Sequence, residues 1–272
     1  MIDFAGLGLH LNVNPIAFTI GGIPIYAYAV CIVFGIVLSL ILCAKSQENF
    51  GISFDFLQQS LIFAILIGLI GARMYFVAFK WKNHKISLLQ IFRVRDGGLA
   101  IYGGLIAGGI AIYLRCRKNK VNFYDVCDYL APFVALAQSI GRWGNFFNQE
   151  AYGTETNNFL RMGIYTDFGY KQVHPTFLYE SIACFLIFIF LRVMQKHRKF
   201  QGQIFYFYLY CYSGIRMLIE GVRCDSLMVK NLRISQVLSG AIFVFSGIIL
   251  LKQCKKYIRK EDKQSKMQKK VN

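Results

Sequence analysis

Charge is what this sequence has least of: only 17% of its 272 residues are Asp, Glu, Lys or Arg, and just 14 of them are acidic. It has no CxxC pair among its eight cysteines, no low-complexity linker, no internal repeat and no obvious domain boundary. These absences exclude a charged, solvated scaffold, a disulfide framework and a CxxC-type zinc module. Cys31, Cys43, Cys127, Cys184 and Cys211 all lie in apolar runs and read as small buried hydrophobes. No His/Cys/Asp cluster has metal-ligand spacing, so no metal and no cofactor is implied.

What remains is apolar: 56% of the residues are hydrophobic and 16% aromatic, with a mean hydropathy of +0.43. Seven runs approach the ~20 residues that cross a bilayer. They cover about 26–43, 58–79, 98–114, 124–141, 175–194, 203–220 and 234–251. The expected fold is therefore an all-α polytopic membrane protein of seven transmembrane helices, because within lipid every backbone group must be hydrogen-bonded internally. Residues 1–251 form one helical bundle in this reading, with a small extracytoplasmic head segment at about 145–174 and a basic tail at 252–272. The first run starts too late for a signal peptide.

The net charge of +17 is not spread evenly. Nine Lys or Arg residues follow Leu251, and others fall in RCRKNK and QKHRK. The positive-inside rule puts these segments in the cytoplasm, so seven spans leave the N-terminus outside. Basic residues so placed fit the lipid bilayer as partner, not nucleic acid. Residues 80–96 carry five Lys or Arg on the outer side, which means either an anionic lipid surface there or a misplaced span. Gly68, Gly71 and the run GGLIAGG read as sites of close helix packing.

Charged groups inside spans need a reason, since an arginine at the bilayer centre costs about 2.5–3.5 kcal/mol on the insertion scale. Arg73, in GARMYFV, either snorkels to the interface or lines a site. Tyr102, in DGGLAIYGGLIAGG, has glycines on both sides, which would let backbone or a lipid headgroup approach its hydroxyl. In GRWGNFFNQEAYG, residues 141–153, Arg142, Asn145 and Asn148 share one helix face. A fixed guanidinium beside two amides suits a phosphate diester, and equally suits a polar cap that closes the helix. In YSGIRMLIEGVR, Tyr212, Arg216, Glu220 and Arg223 form a polar stripe in which Arg216 and Glu220 are spaced to pair. In HPTFLYE, Pro175 suits the first turn of a helix and His174 a cap, while Glu180 calls for a partner such as an arginine. Three classes compete at this level: an enzyme acting on a lipid, a lipid- or anion-binding membrane transporter, and a structural membrane subunit.

These motifs, with PIYAYAV near the first span, resemble in order and spacing the signatures of the prolipoprotein diacylglyceryl transferases of bacterial inner membranes. The resemblance covers about residues 15 to 225. It implies a seven-span enzyme whose site opens to the outer leaflet. Such enzymes move the diacylglyceryl group of phosphatidylglycerol onto the lipobox cysteine of a prolipoprotein signal peptide and release glycerol phosphate. Carried onto this chain, the resemblance makes Arg142 and Arg216 the essential arginines. Asn145, Gly153, Glu150, Tyr212, Glu220 and Arg223 become their supporting set, with Tyr28 in the first span. The family often has histidine where this chain has Tyr102, so an imidazole base at that place is not available here. The nucleophile is the substrate's thiol, and its proton acceptor would be water, phosphate or Glu150, with Tyr102 orienting the headgroup.

Overall fold

A computed structural model describes residues 2–46, 50–81, 98, 100–166, 169–225, 228–229 and 232–271. Most of the basic stretch at 80–96 lies outside the described residues. Among those described, a helix falls on each expected run: α1 (Ala27–Ala44), α2 (Phe54–Trp81), α3 (Ile101–Lys118), α4 (Phe123–Asn148), α5 (Thr176–Gln195), α6 (Gln203–Val222) and α7 (Ile234–Val271). Four of them, α1, α2, α5 and α7, are long and apolar enough by themselves to cross a membrane. The others are diluted by polar residues: Arg115, Arg117 and Lys118 in α3, Asp125, Asp128 and Arg142 in α4, Arg216 and Glu220 in α6.

The protein is mostly helical, but not helical throughout. β1 (Ile2–Phe4), β2 (Leu9–Leu11), β5 (Met162–Thr166) and β6 (Gly169–Val173) form an antiparallel sheet in the order β2-β1-β5-β6. Two hairpins, β3 (Ile16–Ile20) with β4 (Ile23–Tyr26) and β7 (Met228–Val229) with β8 (Leu232–Arg233), complete the strands. An expectation of helices alone missed them because strands of two to five residues carry almost no periodicity. The pairing of Asp3 with Gly163 is also invisible locally, since the partners are far apart in sequence.

The chain forms two compact units, residues 1–45 with 128–272, and residues 46–127. In the smaller unit, α2 and α3 meet through glycines. A Cβ on Gly71 would sit 2.8 Å from the Gly103 carbonyl oxygen, and one on Gly103 would sit 2.4 Å from that of Gly71. Of the glycines marked for close packing, Gly68, Gly71, Gly103, Gly104 and Gly108 lie where the two helices touch, whereas Gly109 faces open space.

In the larger unit, Ile2, Phe4, Phe146, Met162, Ile164, Val173 and Phe177 form one buried core. That core clamps the sheet onto the end of α4 and the start of α5. Pro175 stands at the N-cap of α5, one residue before the expected first-turn position. At the other end of α4, the fully buried Asp128 accepts hydrogen bonds from Arg198 Nε at 2.7 Å and from the backbone N–H groups of Gly202 at 2.7 Å and Phe205 at 2.8 Å. A side chain of α4 thereby caps the first turn of α6. Arg142 lies fourteen residues further along the same helix, about 21 Å away at 1.5 Å per residue.

Candidate functional site

Glu180 is the hub of the charged cluster, in the second turn of α5 with 2% of its surface exposed. Its Oε1 lies 2.6 Å from Arg142 Nη2, and its Oε2 is 3.0 Å from Arg216 Nη1. The Tyr212 hydroxyl donates to Oε1 at 3.2 Å. One carboxylate therefore joins guanidiniums from α4 and α6. Glu220 adds a second contact to Arg216, at 2.9 Å and one turn along α6, as the stripe predicts. Two arginines and two glutamates leave this cluster formally neutral.

The openness of the groups is unequal. The Arg142 and Arg216 side chains keep 23% and 18% of their surface exposed, while Glu180 and Glu220 each keep 3%. The arginines are thus the accessible members of the cluster and the carboxylates its buried ones. Arg142 is also held by its own helix, donating to Asn145 Oδ1 at 3.4 Å. Asn145 Nδ2 in turn donates to Glu150 Oε1 at 2.8 Å. Glu150 itself is exposed, between Gln149 and Ala151, whose φ values of 52° and 58° place both in the left-handed region. Such backbone in non-glycine residues marks a turn held by its surroundings. Asn148 ends α4 on the surface and stands apart from this network, so of the three residues predicted to share a face, two meet the cluster.

Gly153 and Arg223 are brought together by a backbone bridge. The Gly153 N–H donates to the His174 carbonyl at 2.9 Å, and the Thr154 N–H to the Val222 carbonyl at 2.8 Å. A Cβ on Gly153 would lie 2.7 Å from His174 Cβ and 3.0 Å from the Val222 oxygen. Only a glycine lets the segment after α4 stitch α5's entry to α6's exit. Arg223 then makes a two-pronged contact with Asp225, Nε at 2.9 Å and Nη2 at 2.7 Å. That guanidinium holds the Asp225 carboxyl below its ordinary pKa. Arg233 donates to the backbone carbonyl of Glu220, adding a cation beside the α6 terminus. A cavity of about 410 Å³, lined in part by Gly153, Thr154, Lys171 and Cys224, opens beside this stitch.

Tyr28, at the start of α1, packs its ring on Gly144, where a Cβ would come within 2.6 Å of Tyr28 Cδ2. Arg73 and Tyr102 belong to the smaller unit. There Arg73 Nη1 donates to the Gly98 carbonyl at 3.0 Å, and its guanidinium lies 5.5 Å from the Phe76 ring centroid. Tyr102, in the first turn of α3, is 37% exposed. No group of three or more His, Cys, Asp or Glu residues suited to a metal ion occurs among the described residues.

Sequence reasoning gave Glu180 an arginine partner but no place in the site. A lone carboxylate in the apolar run ESIACFLIFIF was the available signal, because a charge in lipid must be answered from another helix. That it answers two arginines depends on how α4, α5 and α6 pack, which spacing on any one helix does not reveal.

Fold and cluster together define a helical membrane protein that keeps paired guanidiniums and carboxylates among its helices. A family model described as prolipoprotein diacylglyceryl transferase matches residues 15–252. The chain belongs to that family. It is 43% identical over 250 residues to the phosphatidylglycerol--prolipoprotein diacylglyceryl transferase of Streptococcus suis (strain 05ZYH33), covering 89% of this chain and 92% of the relative. Similarity extends to the proteins of the same name from Finegoldia magna, 44% over 248 residues with 91% and 98% coverage, and Clostridioides difficile (strain 630), 46% over 234 residues with 86% and 92% coverage.

Proposed function

We propose that this protein transfers the diacylglyceryl group of phosphatidylglycerol to the lipobox cysteine of prolipoproteins, the activity named in its relatives. The observation that carries this reading is the convergence of Arg142 and Arg216, from two helices, on one buried carboxylate with their outer edges open. In the reaction the substrate's thiolate attacks the glyceryl carbon. A C–S bond forms, the C–O bond to phosphate breaks, and its electron pair leaves with glycerol phosphate. The phosphate goes from one negative charge to two, so cations aimed at its oxygens favour the transition state over the bound lipid. Guanidinium suits this task because it stays charged and engages two oxygens at once. Arg142 and Arg216 take the phosphate, Glu180 and Glu220 hold them in register, and Asn145 and Tyr212 steady the two pairs.

A free thiol, with a pKa of about 8.5, must lose its proton. Water, phosphate or Glu150 accepts it, Glu150 being the exposed carboxylate of the network. Tyr28 and Gly153 shape the site's walls and Arg223 secures the loop after α6, while Tyr102 and Arg73 of the smaller unit are given to binding the lipid headgroup. Seven crossings of the bacterial inner membrane, with the N-terminus and the segment at about 145–174 outside, put this chemistry at the outer leaflet. Residues 1–251 then make the membrane-embedded body and 252–272 a cytoplasmic extension. The test is to reconstitute purified protein with phosphatidylglycerol and a lipobox peptide. Thioether-linked peptide and glycerol phosphate should appear in equal amounts. Absence of both from protein shown to be folded would reject the reading.

A further inference from the structure

The C-terminal half of α7 is a second charged device, separate from the cluster around Glu180. The family match ends at residue 252, where the basic tail begins, so this feature belongs to the chain rather than to the matched body. The helix does not stop at the end of its apolar run but continues through the tail to Val271. Lys252, Lys255, Lys256, Arg259, Lys260, Lys263 and Lys266 are all exposed. At about 100° per residue these seven fall within about 140° of the helix circumference. Glu261 lies on the opposite side, and Asp262 just outside the basic arc.

The other side is turned towards the protein. Gln253, Cys254 and Tyr257 are half-buried, and the Lys199 ammonium lies 5.5 Å from the Tyr257 ring centroid. Lys199 and the exposed Lys196 belong to the connection between α5 and α6, which extends the cationic surface. The helix is held against its own unit only as far as Tyr257; from Ile258 to Lys266 every described side chain is exposed, and the bases project from one side of a helix that stands clear of the protein. On the topology proposed above, the surrounding at the end of the apolar segment is lipid headgroup.

We propose that this face binds anionic phospholipid headgroups of the leaflet at which α7 ends, gathering a shell of acidic lipid around the larger unit. The stripe begins at the residue after Leu251, the last of the apolar run, and no glycine or proline interrupts the helix from Ile248 to Met267. A tilt of α7 therefore lowers the whole stripe as one body. Upright, the positions from Lys252 to Arg259 span about 10 Å, close to one screening length at physiological salt. Tilted towards the exposed basic side, Lys263 and Lys266 come within reach as well.

The test uses the full-length protein in mixed micelles of phosphatidylcholine and phosphatidylserine, an anionic lipid outside the proposed reaction. Lipid retained after extensive washing is quantified. Wild type is expected to hold phosphatidylserine over phosphatidylcholine about fivefold above the input ratio at low salt. Joint substitution Lys255→Gln, Lys256→Gln, Arg259→Gln, Lys260→Gln and Lys263→Gln should return the ratio to near input, as should about 1 M salt. The charge-keeping variant, with Arg at the four lysines, should retain the enrichment, which separates loss of charge from loss of helix. Equal enrichment in wild type and the Gln variant overturns the proposal. So does binding of RNA or polyglutamate to the wild-type tail in pure phosphatidylcholine with the lipid ratio unchanged by the Gln substitutions, which would make the stripe a dock for a soluble polyanion. The outcome is independent of transferase activity, which the Gln variant should keep.

Discussion

Replacing Glu180 with glutamine removes one charge while keeping shape, and its effects should divide between stability and chemistry. Glu180 holds Arg142 at 2.6 Å, Arg216 at 3.0 Å and the Tyr212 hydroxyl at 3.2 Å. In Glu180→Gln, Arg216 keeps Glu220 at 2.9 Å, whereas Arg142 keeps the longer contact to Asn145 at 3.4 Å. The cluster changes from two positive and two negative charges to a net charge of one positive. Breaking a buried ion pair typically costs about 3–5 kcal/mol. Because both guanidiniums are about one-fifth exposed, solvent screening brings the expected loss to about 2–3 kcal/mol. At about 2–4 °C per kcal/mol for a chain of this size, the unfolding midpoint in detergent should fall by about 4–12 °C.

The chemistry should move the other way at the binding step. With the internal anion gone, the arginines are freer to accept a phosphodiester, so the KM for phosphatidylglycerol should fall or stay level. kcat should drop, because the two guanidiniums are no longer fixed on a common carboxylate. Thermal unfolding followed by intrinsic fluorescence, together with initial rates over a range of lipid concentrations, measures both effects. An unchanged midpoint with unchanged kcat would refute the role given to Glu180.

Arg142→Lys keeps the charge but loses the planar two-pronged donor, and should lower kcat by at least about 10²-fold with little change in unfolding midpoint, as measured by glycerol phosphate release. Gly153→Ala forces a Cβ into the contacts at 2.7 Å and 3.0 Å, and should cost about 1–3 kcal/mol and lower turnover, read by unfolding and rate assays. Tyr102→Phe should leave kcat near normal and raise the KM for lipid; a several-hundredfold loss of kcat with unchanged lipid binding would instead assign the hydroxyl to proton transfer. Asp225 has a lowered pKa in the folded protein, so its pair with Arg223 stabilises fully above the unfolded carboxylate value of about 3.9 and fades as pH falls through the lower folded value. Asp225→Asn should therefore lower the unfolding midpoint at pH 6, with the difference from wild type closing below about pH 4.

Helix positions were legible because each apolar run is long and bounded by polar residues, so α1, α2, α5 and α7 could be placed directly. The stripe Tyr212–Arg216–Glu220–Arg223 was legible for a related reason: a charge on an apolar helix is conspicuous, and its i,i+4 neighbour is fixed by helix geometry. What required the structure was any relation between elements. The N-terminal strand Ile2–Phe4 joins a sheet with Met162–Thr166 and Gly169–Val173, and no pattern within three residues announces that. Glu180 reads locally as a carboxylate in need of one partner, and only the packing of three helices gives it two. Asp128 was passed over altogether, because nothing in its own helix, where it lies in the second turn, shows that its partners come from the start of α6.

That last residue imposes an order on how the chain can be assembled. The N–H groups that open α6 find their acceptor on a side chain 74 residues earlier, at Gly202, and 77 residues earlier, at Phe205. During synthesis α4 is complete long before α6 exists, so Asp128 must wait without these partners while α5 is made. When α6 arrives, its first turn is finished by docking rather than by its own sequence. Docking of α6 against α4 and the closing of that turn are one event, and a single substitution, Asp128→Ala, would separate them.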